Sequence, residues 1–131
     1  MIKLRWHAAT VGIGLALGLA SPASAFIEEH LEQLMKSVES GEPVMCDKCN
    51  LSYANLSELD LTGASMNGAY LYGAKLRGTV LRDAKLDRAD FTRSDLEGAD
   101  FTGATMSEIR ATSTKWCGTT MPDGTMNDSR C

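Results

Sequence analysis

Four cysteines are the residues of this chain that could do the most chemistry. They are Cys46, Cys49, Cys117 and Cys131. A cysteine can attack a disulfide as its thiolate, ligate zinc or be oxidised into a disulfide, and its spacing and compartment favour one of these outcomes. Four cysteines allow three different pairs of bridges, and the sequence alone does not choose among them. Proximity along the chain favours Cys46–Cys49 and Cys117–Cys131.

The segment Cys46-Asp47-Lys48-Cys49 has the spacing of thiol oxidoreductases, so a redox function is one hypothesis. In such enzymes a helix N-terminus activates the attacking thiolate, whereas this motif follows a predicted helix and lacks that activation. Haem attachment needs a histidine directly after the second cysteine, and the chain has Asn50 there. A zinc site of four cysteines would need two close pairs, and Cys117 and Cys131 are widely spaced. We expect two structural disulfides, no metal and no cofactor.

Hydrolytic catalysis finds little support in the sequence. The chain has two histidines, and His7 lies in an N-terminal segment that we expect to be removed. His30 falls on a predicted helix, where we expect it to be solvated, and no Ser-His-Asp set can be assembled around it. Carboxylate pairs of the kind that cleave glycosides could be chosen, but their aspartates hold outward positions that chiefly provide solubility: Asp83, Asp87, Asp90, Asp95 and Asp100. We therefore predict that the protein is not an enzyme.

Residues 1–25 have the pattern of a secretory signal peptide. Lys3 and Arg5 form a basic head, residues 8–20 are apolar, and residues 21–25 supply the small side chains of a cleavage site, so we expect the cut after Ala25. The alternative is an uncleaved membrane anchor, which is disfavoured because a span needs about 20 apolar residues. The sequence thus predicts export to the periplasm, to the medium or to another extracytoplasmic space, where disulfides persist.

Export also changes the charge of the protein. The chain has 13 basic and 17 acidic residues and a net charge of −4, and loss of Lys3 and Arg5 brings the net charge to −6. The remaining residues suffice for one domain. Nucleic acids and anionic membranes require basic surfaces, so we expect neither as a partner. A protein partner and any oligomeric state stay open.

The cysteines flank a repeat in which a large apolar residue recurs at every fifth position. A mostly small residue, usually alanine, stands two places before each of them. A helix repeats near 3.6 residues and a strand at 2, and a step of five fits neither. The large residues, which we predict to form the core, are Leu51, Leu56, Leu61, Met66, Leu71, Leu76, Leu81, Leu86, Phe91, Leu96, Phe101 and Met106.

A five-residue step has a simple physical interpretation. If each pentad forms one short side of a coil, its large residue can point inward on every side. One coil cannot bury these side chains from above and below, so coils must stack, as in other solenoid proteins. Backbone groups would then pair between coils about 4.8 Å apart.

The chain resembles the pentapeptide repeat proteins, whose motif is alanine, aspartate or asparagine, then leucine or phenylalanine, then two variable residues. The clearest matches are Ala54-Asn55-Leu56, Ala89-Asp90-Phe91 and Ala99-Asp100-Phe101. The resemblance implies an all-β solenoid, a right-handed, four-sided parallel β-helix with about four pentads per coil, over residues 44–110. Opposite charges fall together at offsets of both 20 and 15 residues, so charge does not distinguish four sides from three. We expect local bulging or a frayed side at the departures from the motif, which are Leu59, Thr79, Ile109 and Ala111.

Segments at both ends suit the open ends of a solenoid, which need covering for solubility. Residues 26–43 are predicted to form a short α-helical N-terminal cap, with a helix over 27–40 whose apolar stripe is Ile27, Leu31, Leu34, Met35 and Val38. Residues 111–131 resemble the closing segment of many family members and are predicted to form the last coil and a lid. Trp116 would lie over the apolar columns, the alternative being an exposed platform for a ligand. We expect the two disulfides to lock these ends.

The sequence therefore predicts an exported, non-enzymatic structural or protein-binding module that presents the faces of a β-solenoid. The first alternative is a thiol–disulfide redox protein that uses Cys46 and Cys49. A second is an inhibitor that imitates DNA, since some members of the family resemble DNA in shape and charge and protect topoisomerases. The acidity of the chain agrees with this second alternative, and export to a compartment without DNA argues against it.

Overall fold

The computed structural model describes residues 22–131, with side chains from residue 27 onward. Its main body is a stack of coils joined by parallel β-bridges between residues twenty positions apart, from Met45↔Ser65 to Asp100↔Thr120. Twenty residues are four pentads, so each coil has four sides. No bridge within the described residues has the fifteen-residue offset of a three-sided coil.

Two kinds of backbone hydrogen bond hold each pentad in place. Between coils, the Leu71 N–H donates to the Asp90 carbonyl at 2.8 Å, and the Lys75 N–H donates to the Ala54 carbonyl at 2.9 Å. Within a corner, the Ala74 N–H donates to the Leu71 carbonyl at 3.0 Å and closes a turn. The third residue of this turn has a positive φ, as Gly73 does at 64°. Glycine adopts this conformation without strain, which explains its recurrence at the corners.

The core is the column of large residues, and it contains no pore. All twelve predicted core residues are buried apart from Met106, which is partly exposed. Phe91 and Phe101 meet edge to face with ring centroids 5.9 Å apart. The small residues of the second series face inward beside them, where there is little room. Met106 is less covered because no further coil bridges to its side within the described residues.

The prediction of bulges at the departures from the motif is wrong. The bridge Asp60↔Val80 lies next to Leu59 and Thr79, and the bridge Asp90↔Arg110 lies between Ile109 and Ala111. Both bridges keep the regular register. Thr79 is fully buried, and its hydroxyl donates to the Leu56 carbonyl at 2.8 Å, so the polar group is satisfied inside the core. Ile109 and Ala111 keep the register but are partly exposed, because they lie on the last regular coil.

Helix α1 spans Pro22–Ser40 and begins five residues before the predicted Ile27. Proline suits a first helical turn because its missing N–H would have no partner there. The helix ends at Gly41, whose φ is 74°, and the Glu42 N–H donates back to the Ser37 carbonyl at 3.1 Å. The expected cleavage site after Ala25 thus falls within α1, and residues 1–21 of the predicted signal peptide lie outside the described residues.

The apolar stripe of α1 packs on the core of the solenoid. Leu34 is buried in the same cluster as the coil leucines, and Leu31, Met35 and Val38 are partly buried against it. His30 is half-buried, and its Nδ1 accepts a hydrogen bond from the Asn50 N–H at 2.9 Å. The expectation of a solvated His30 is therefore wrong, because the helix lies close enough to the first coil for a hydrogen bond to form between them.

The chain closes with a short hairpin. Strand β1, Thr119–Thr120, pairs antiparallel with strand β2, Met126–Asn127. Trp116 is buried, and its ring centroid lies 6.4 Å from that of Phe101. Its backbone N–H donates to the Ser129 carbonyl at 3.1 Å. Trp116 thus packs on the core and offers no exposed platform. In the part of the chain that the structure describes, no helix has the length and apolar character that crossing a membrane requires.

Candidate interaction surface

The cysteines form one bridge at each end of the solenoid. Cys46 is bonded to Cys49 in the first coil, and Cys117 on the last coil is bonded to Cys131 at the end of the tail. This is the connectivity that proximity along the chain favours. The first bridge closes a turn within the first coil, and the second fastens the tail to the last coil. Both lie at the ends, where a solenoid has the fewest contacts.

The first bridge is poorly placed for thiol exchange. Cys46 is 1% exposed and Cys49 is 5% exposed, and both belong to the apolar core. Exchange requires an incoming thiolate to reach one of the sulfurs. Because both residues are buried in the core, their environment favours a structural bridge. Over residues 22–131, no group of three or more histidine, cysteine, aspartate or glutamate side chains is arranged to hold a metal ion.

Charged side chains on two sides of the solenoid pair with one another. Arg77 lies 2.8 Å from Glu97, and Arg82 lies 2.6 Å from Asp100. Lys115 also contacts Glu97. Exposed pairs of this kind contribute roughly 0–1 kcal/mol each, so they fix side chains more than they stabilise the fold.

Hydrogen bonds in the turns occupy several of the aspartates. Asp100 accepts from both the hydroxyl and the amide of Thr102, and these bonds, with help from Arg82, lower its pKa from 3.8 to about 2. The hydroxyl of Thr62 lowers the pKa of Asp60 in the same way. Such carboxylates stay ionised and are bound to their own turn, so they do not act as general acids near neutral pH.

A polar ladder follows one column of the coils. The Asp47 carboxylate accepts the Asn67 N–H at 2.8 Å, and the Asn67 amide oxygen accepts the Asp87 N–H at 3.1 Å. Asp87 accepts the Ser107 N–H at 2.9 Å, and this bond lowers the pKa of Asp87. These side chains therefore join successive coils, which gives the polar residues of this column a structural function.

One side of the solenoid differs from the others in carrying aromatic residues. We call it the tyrosine face and define it as the outward residues of 50–53, 70–73, 90–93 and 110–113. It holds all three tyrosines of the chain, Tyr53, Tyr70 and Tyr72. Tyr53 is 70% exposed and Tyr70 is 53% exposed. Tyrosine combines a large contact area with few rotatable bonds and is enriched at protein interfaces.

A shallow groove joins the tyrosine face to the corner beside it. Its walls include Lys48, Tyr70, Arg88 and Asp90, and Gly68 forms part of its floor. Lys48, Gly68 and Arg88 hold the same corner of successive coils, and the Lys48 Cγ would lie 3.4 Å from a Cβ added at Gly68. Because Asp47, Glu108 and Arg110 also line it, the groove places three cations and three carboxylates next to an aromatic ring.

The sequence analysis did not identify this face. Tyr53, Tyr70 and Tyr72 look scattered along the chain, and nothing in the pentad pattern alone joins Tyr53 to the other two. The signal lies in the coil length: at a period of twenty residues, positions 53 and 73 share one corner. The resemblance implied four pentads per coil, but the sequence analysis did not apply that period to the outward residues, so the three tyrosines were not placed on one side.

The geometry defines a parallel β-solenoid built from pentads, with four pentads in each coil. The family model described as Pentapeptide repeats (8 copies) matches residues 46–83 and 75–110. The chain belongs to the pentapeptide repeat family. Proteins of this family are generally non-enzymatic structural or interaction modules. The comparison with curated proteins gives no match.

Several solved structures are similar to the chain. HetL from the cyanobacterium Nostoc sp. strain PCC 7120, a pentapeptide repeat protein involved in heterocyst differentiation regulation, is 21% identical, with a TM-score of 0.42. The match covers 63% of this chain and 51% of HetL, so the chain spans about half the length of that protein. A pentapeptide repeat protein of the Arabidopsis thaliana thylakoid lumen is 26% identical, with 69% of this chain and 65% of that one covered and a TM-score of 0.37. A second Nostoc PCC 7120 pentapeptide repeat protein is 30% identical, with coverages of 64% and 73% and a TM-score of 0.39.

Proposed function

We propose that this protein is an exported, non-enzymatic module that binds another protein through a side of its solenoid. The solenoid is a right-handed, four-sided parallel β-helix, and α1 is its N-terminal cap. A signal peptide is removed after Ala25, and the protein acts in the periplasm or another extracytoplasmic space.

The disulfides and the N-terminal sequence support export. All four cysteines are paired, and paired cysteines persist chiefly in oxidising compartments. The first 25 residues have a basic head, an apolar run and small residues before the expected cut. The two observations are independent, because the first concerns the folded domain and the second concerns a segment that leaves it.

The buried side of α1 supports its assignment as a cap. Leu34 is 1% exposed, and Asn50 in the first coil bonds His30 on the helix. A helix in this position covers apolar side chains that the first coil would otherwise present to water.

The observation that carries the binding function is the exposed aromatic side of a rigid stack. Tyr53 and Tyr70 are more than half exposed although the core beneath them is closed. Four of the five aspartates considered for catalysis accept hydrogen bonds in turns or in the polar ladder, namely Asp87, Asp90, Asp95 and Asp100. The outer faces remain as the surface available for a partner. Membership of a family of interaction modules agrees with this function.

Export and cleavage can be tested on the chain expressed with a C-terminal tag. Cells would be fractionated, and the intact mass and first residue of the protein would be determined in each fraction. We expect it in the exported fraction, beginning at Phe26 and without free thiols. Cytosolic protein with Met1 intact would contradict export and would favour an intracellular function.

Binding can be tested by capturing partners with the tagged protein from the same exported fraction. The Leu76→Asp variant places a charge in the core and should not fold. It is therefore the control for nonspecific binding by unfolded protein. We expect one protein to be enriched with the parent and lost with the control. Equal recovery from both samples would contradict a specific interaction.

The redox alternative predicts a different measurement. Thioredoxin-type bridges have reduction potentials of about −270 mV, whereas the reduction potentials of structural bridges lie below about −300 mV. Since Cys46 and Cys49 are buried in the core, we expect the lower range for their bridge. A potential in the oxidoreductase range would favour the redox function instead.

A further inference from the structure

We propose that the Cys117–Cys131 bridge is a site of thiol–disulfide exchange with the dithiol of a Cys-x-x-Cys protein, and that its reduction detaches the tail, residues 123–131, from the last coil. This reaction goes beyond the proposed binding function and does not depend on it, because it needs only the dithiol. Three observations support it: the different exposure of the two bridges, the few contacts of the tail, and the burial of the side chains where the tail is bonded.

The two bridges differ in their access to solvent. Cys46 and Cys49 are both buried in the apolar core. Cys131, in contrast, is exposed, Cys117 is half-buried, and neither belongs to the core. Exchange requires the attacking thiolate to reach a sulfur, and exposed bridges are more easily reduced than buried ones. A dithiol should therefore reduce the second bridge and leave the first intact.

Besides the bridge, few contacts hold the tail on the last coil. None of the tail residues is buried, and Met126 is 61% exposed, so the tail places no large side chain in the core. Its other links are the two-residue pairing of β1 with β2, the turn between these strands, and two single hydrogen bonds. The Ser129 carbonyl accepts the Trp116 N–H at 3.1 Å, and the Asp128 carboxylate accepts the Gly118 N–H at 3.0 Å. Segments with few buried apolar contacts open locally at low cost, so we expect the bridge to be what keeps the tail in place.

The tail covers one part of the last coil and leaves another part open. Trp116 and Thr119 lie where the tail is bonded to the coil, and both are buried. Met106, Ile109 and Ala111 lie on the same coil where the tail makes no bond, and they are partly exposed. Within residues 22–131 no further coil bridges to either part, so the tail accounts for the difference. Its detachment should expose the Trp116 side chain and leave the Trp116 N–H without a partner.

The reaction is a two-electron exchange between two pairs of sulfurs. One thiolate of the dithiol attacks the exposed Cys131 sulfur, the bond between the two protein sulfurs breaks, and Cys117 leaves as a thiolate. The second thiolate of the dithiol then attacks its partner sulfur in the mixed disulfide and releases Cys131 as a thiolate. The dithiol is oxidised to a disulfide, and the two protons that it loses end on Cys117 and Cys131. Because the whole tail is exposed, the reagent can be as large as a protein.

The selectivity of the exchange can be measured on the purified, oxidised protein. The protein is incubated for increasing times with dithiothreitol, and in parallel with reduced thioredoxin as the protein dithiol. Free thiols are trapped with iodoacetamide, and the modified cysteines are identified by peptide mass. The Cys46–Cys49 bridge is the matched control within the same molecule. We expect the Cys117–Cys131 bridge to be reduced at least about tenfold faster by both reagents.

Detachment of the tail can be followed by the fluorescence of Trp116. The chain has two tryptophans, so the Trp6→Phe substitution makes Trp116 the single reporter whether or not the N-terminal segment is removed. We expect its emission to shift to longer wavelength in step with the alkylation of Cys117 and before that of Cys46. The Cys117→Ala/Cys131→Ala variant should show the shifted emission without a dithiol and should not respond to one. Far-ultraviolet circular dichroism should stay as in the oxidised protein, because the coils keep their bonds.

Four outcomes would overturn the inference. Equal reduction of both bridges, or earlier reduction of the first, would contradict a selective exchange. Resistance of the Cys117–Cys131 bridge to reduced thioredoxin would exclude a protein dithiol as the reagent. Unchanged Trp116 emission after complete reduction of that bridge would mean that the tail stays on the coil without it. Loss of the circular dichroism signal together with the bridge would indicate global unfolding instead of detachment. None of these results bears on the capture of a protein partner, so each leaves the proposed binding function intact.

Discussion

At the scale of single residues, three turns share one arrangement, an aspartate that accepts from both the amide and the hydroxyl of a threonine two positions later. Asp60, Asp100 and Asp123 each accept hydrogen bonds from the amide and the hydroxyl of that threonine. The pKa of each carboxyl is lowered, with the threonine hydroxyl as the largest cause. The motif therefore fixes a corner and keeps its acid ionised.

Replacing Thr102 by valine should raise the pKa of Asp100 from about 2 towards 3.8, because the hydroxyl bond is its largest cause. The backbone amide and Arg82 remain, so the shift should be incomplete. A lowered folded-state pKa stabilises the protein above the unfolded value, and this stabilisation is lost as the pH falls through the folded value. The parent should thus lose this contribution between about pH 4 and about pH 2, and the variant should lose less of it.

The measurement is a carboxyl carbon NMR titration, accompanied by urea unfolding at neutral and acid pH. Thr112→Val is the matched control, since Thr112 holds the equivalent outward position two sides further along the coil but follows Arg110 by two residues. An Asp100 titration that is identical in the parent and in Thr102→Val would contradict the assignment of the cause.

At the scale of elements, the ends of the molecule depend on contacts that regular coils do not need. The tail pairs with β1 through β2 and is fastened by the Cys117–Cys131 bridge. A bridge stabilises mainly by restricting the unfolded chain, and a loop of this length contributes about 3 kcal/mol in the chain-entropy model. Because Cys131 is exposed, its removal leaves little cavity behind.

The Cys117→Ala/Cys131→Ala variant should therefore be less stable by about 3 kcal/mol, and its tail amides should exchange faster. Guanidinium unfolding and hydrogen exchange provide the two readouts. Reduced parent protein is the matched comparison and should resemble the variant in the tail. Protection of the Met126 and Asn127 amides equal to that in the oxidised parent would mean that the hairpin holds without the bridge.

The contribution of α1 to stability can also be tested by substitution. Leu34→Ala should cost about 2–5 kcal/mol, because the side chain is fully buried and leaves a cavity. Gln33→Ala is the control one position away on the exposed side of α1 and should change stability by less than about 0.5 kcal/mol. Chemical unfolding measures both. Equal stability of the two variants would mean that α1 does not support the first coil.

The sequence predicted the core well and the surface poorly, for physical reasons that particular residues illustrate. Leu51 and Phe91 could be placed inside because burial of large apolar groups at a fixed step needs no knowledge of neighbours. Ion pairs between coils were harder to predict. Arg82 meets Asp100 and Lys115 meets Glu97, each eighteen residues away, because long side chains reach the diagonal neighbour on the adjacent coil. An offset of twenty or fifteen could not reveal these pairs.

The tyrosine face was not predicted from the sequence, for a related reason. Tyr53 lies above no other aromatic residue in the pentad series, and it meets Tyr72 only across a full coil. Its left-handed φ of 61° is also unexpected for an aromatic residue, and Gly73 beneath the ring is what leaves room for it. Contacts that depend on the closure of a coil become visible only when the coil length is known.

At the scale of the whole molecule, the fold is a stack in which each coil rests on its neighbours alone. Bridges at a constant offset of twenty residues mean that any coil can be exchanged for the next without moving an inward side chain outward. Stability should then vary with the number of coils, while cooperativity depends on an unbroken register. Length and register can be separated by deletion.

Removing residues 71–90 joins Tyr70 to Phe91 and places Phe91 over Leu51, the position that Leu71 holds in the parent. This variant should keep one cooperative unfolding transition, with a smaller denaturant slope because less surface is exposed on unfolding. Removing residues 71–88 deletes nearly as much chain but brings Ala89 over Leu51 and breaks the pentad step. We expect that variant to lose its cooperative transition and its far-ultraviolet circular dichroism signature. If the two deletions unfolded alike, the stacking of coils in a fixed register would not be what holds this protein together.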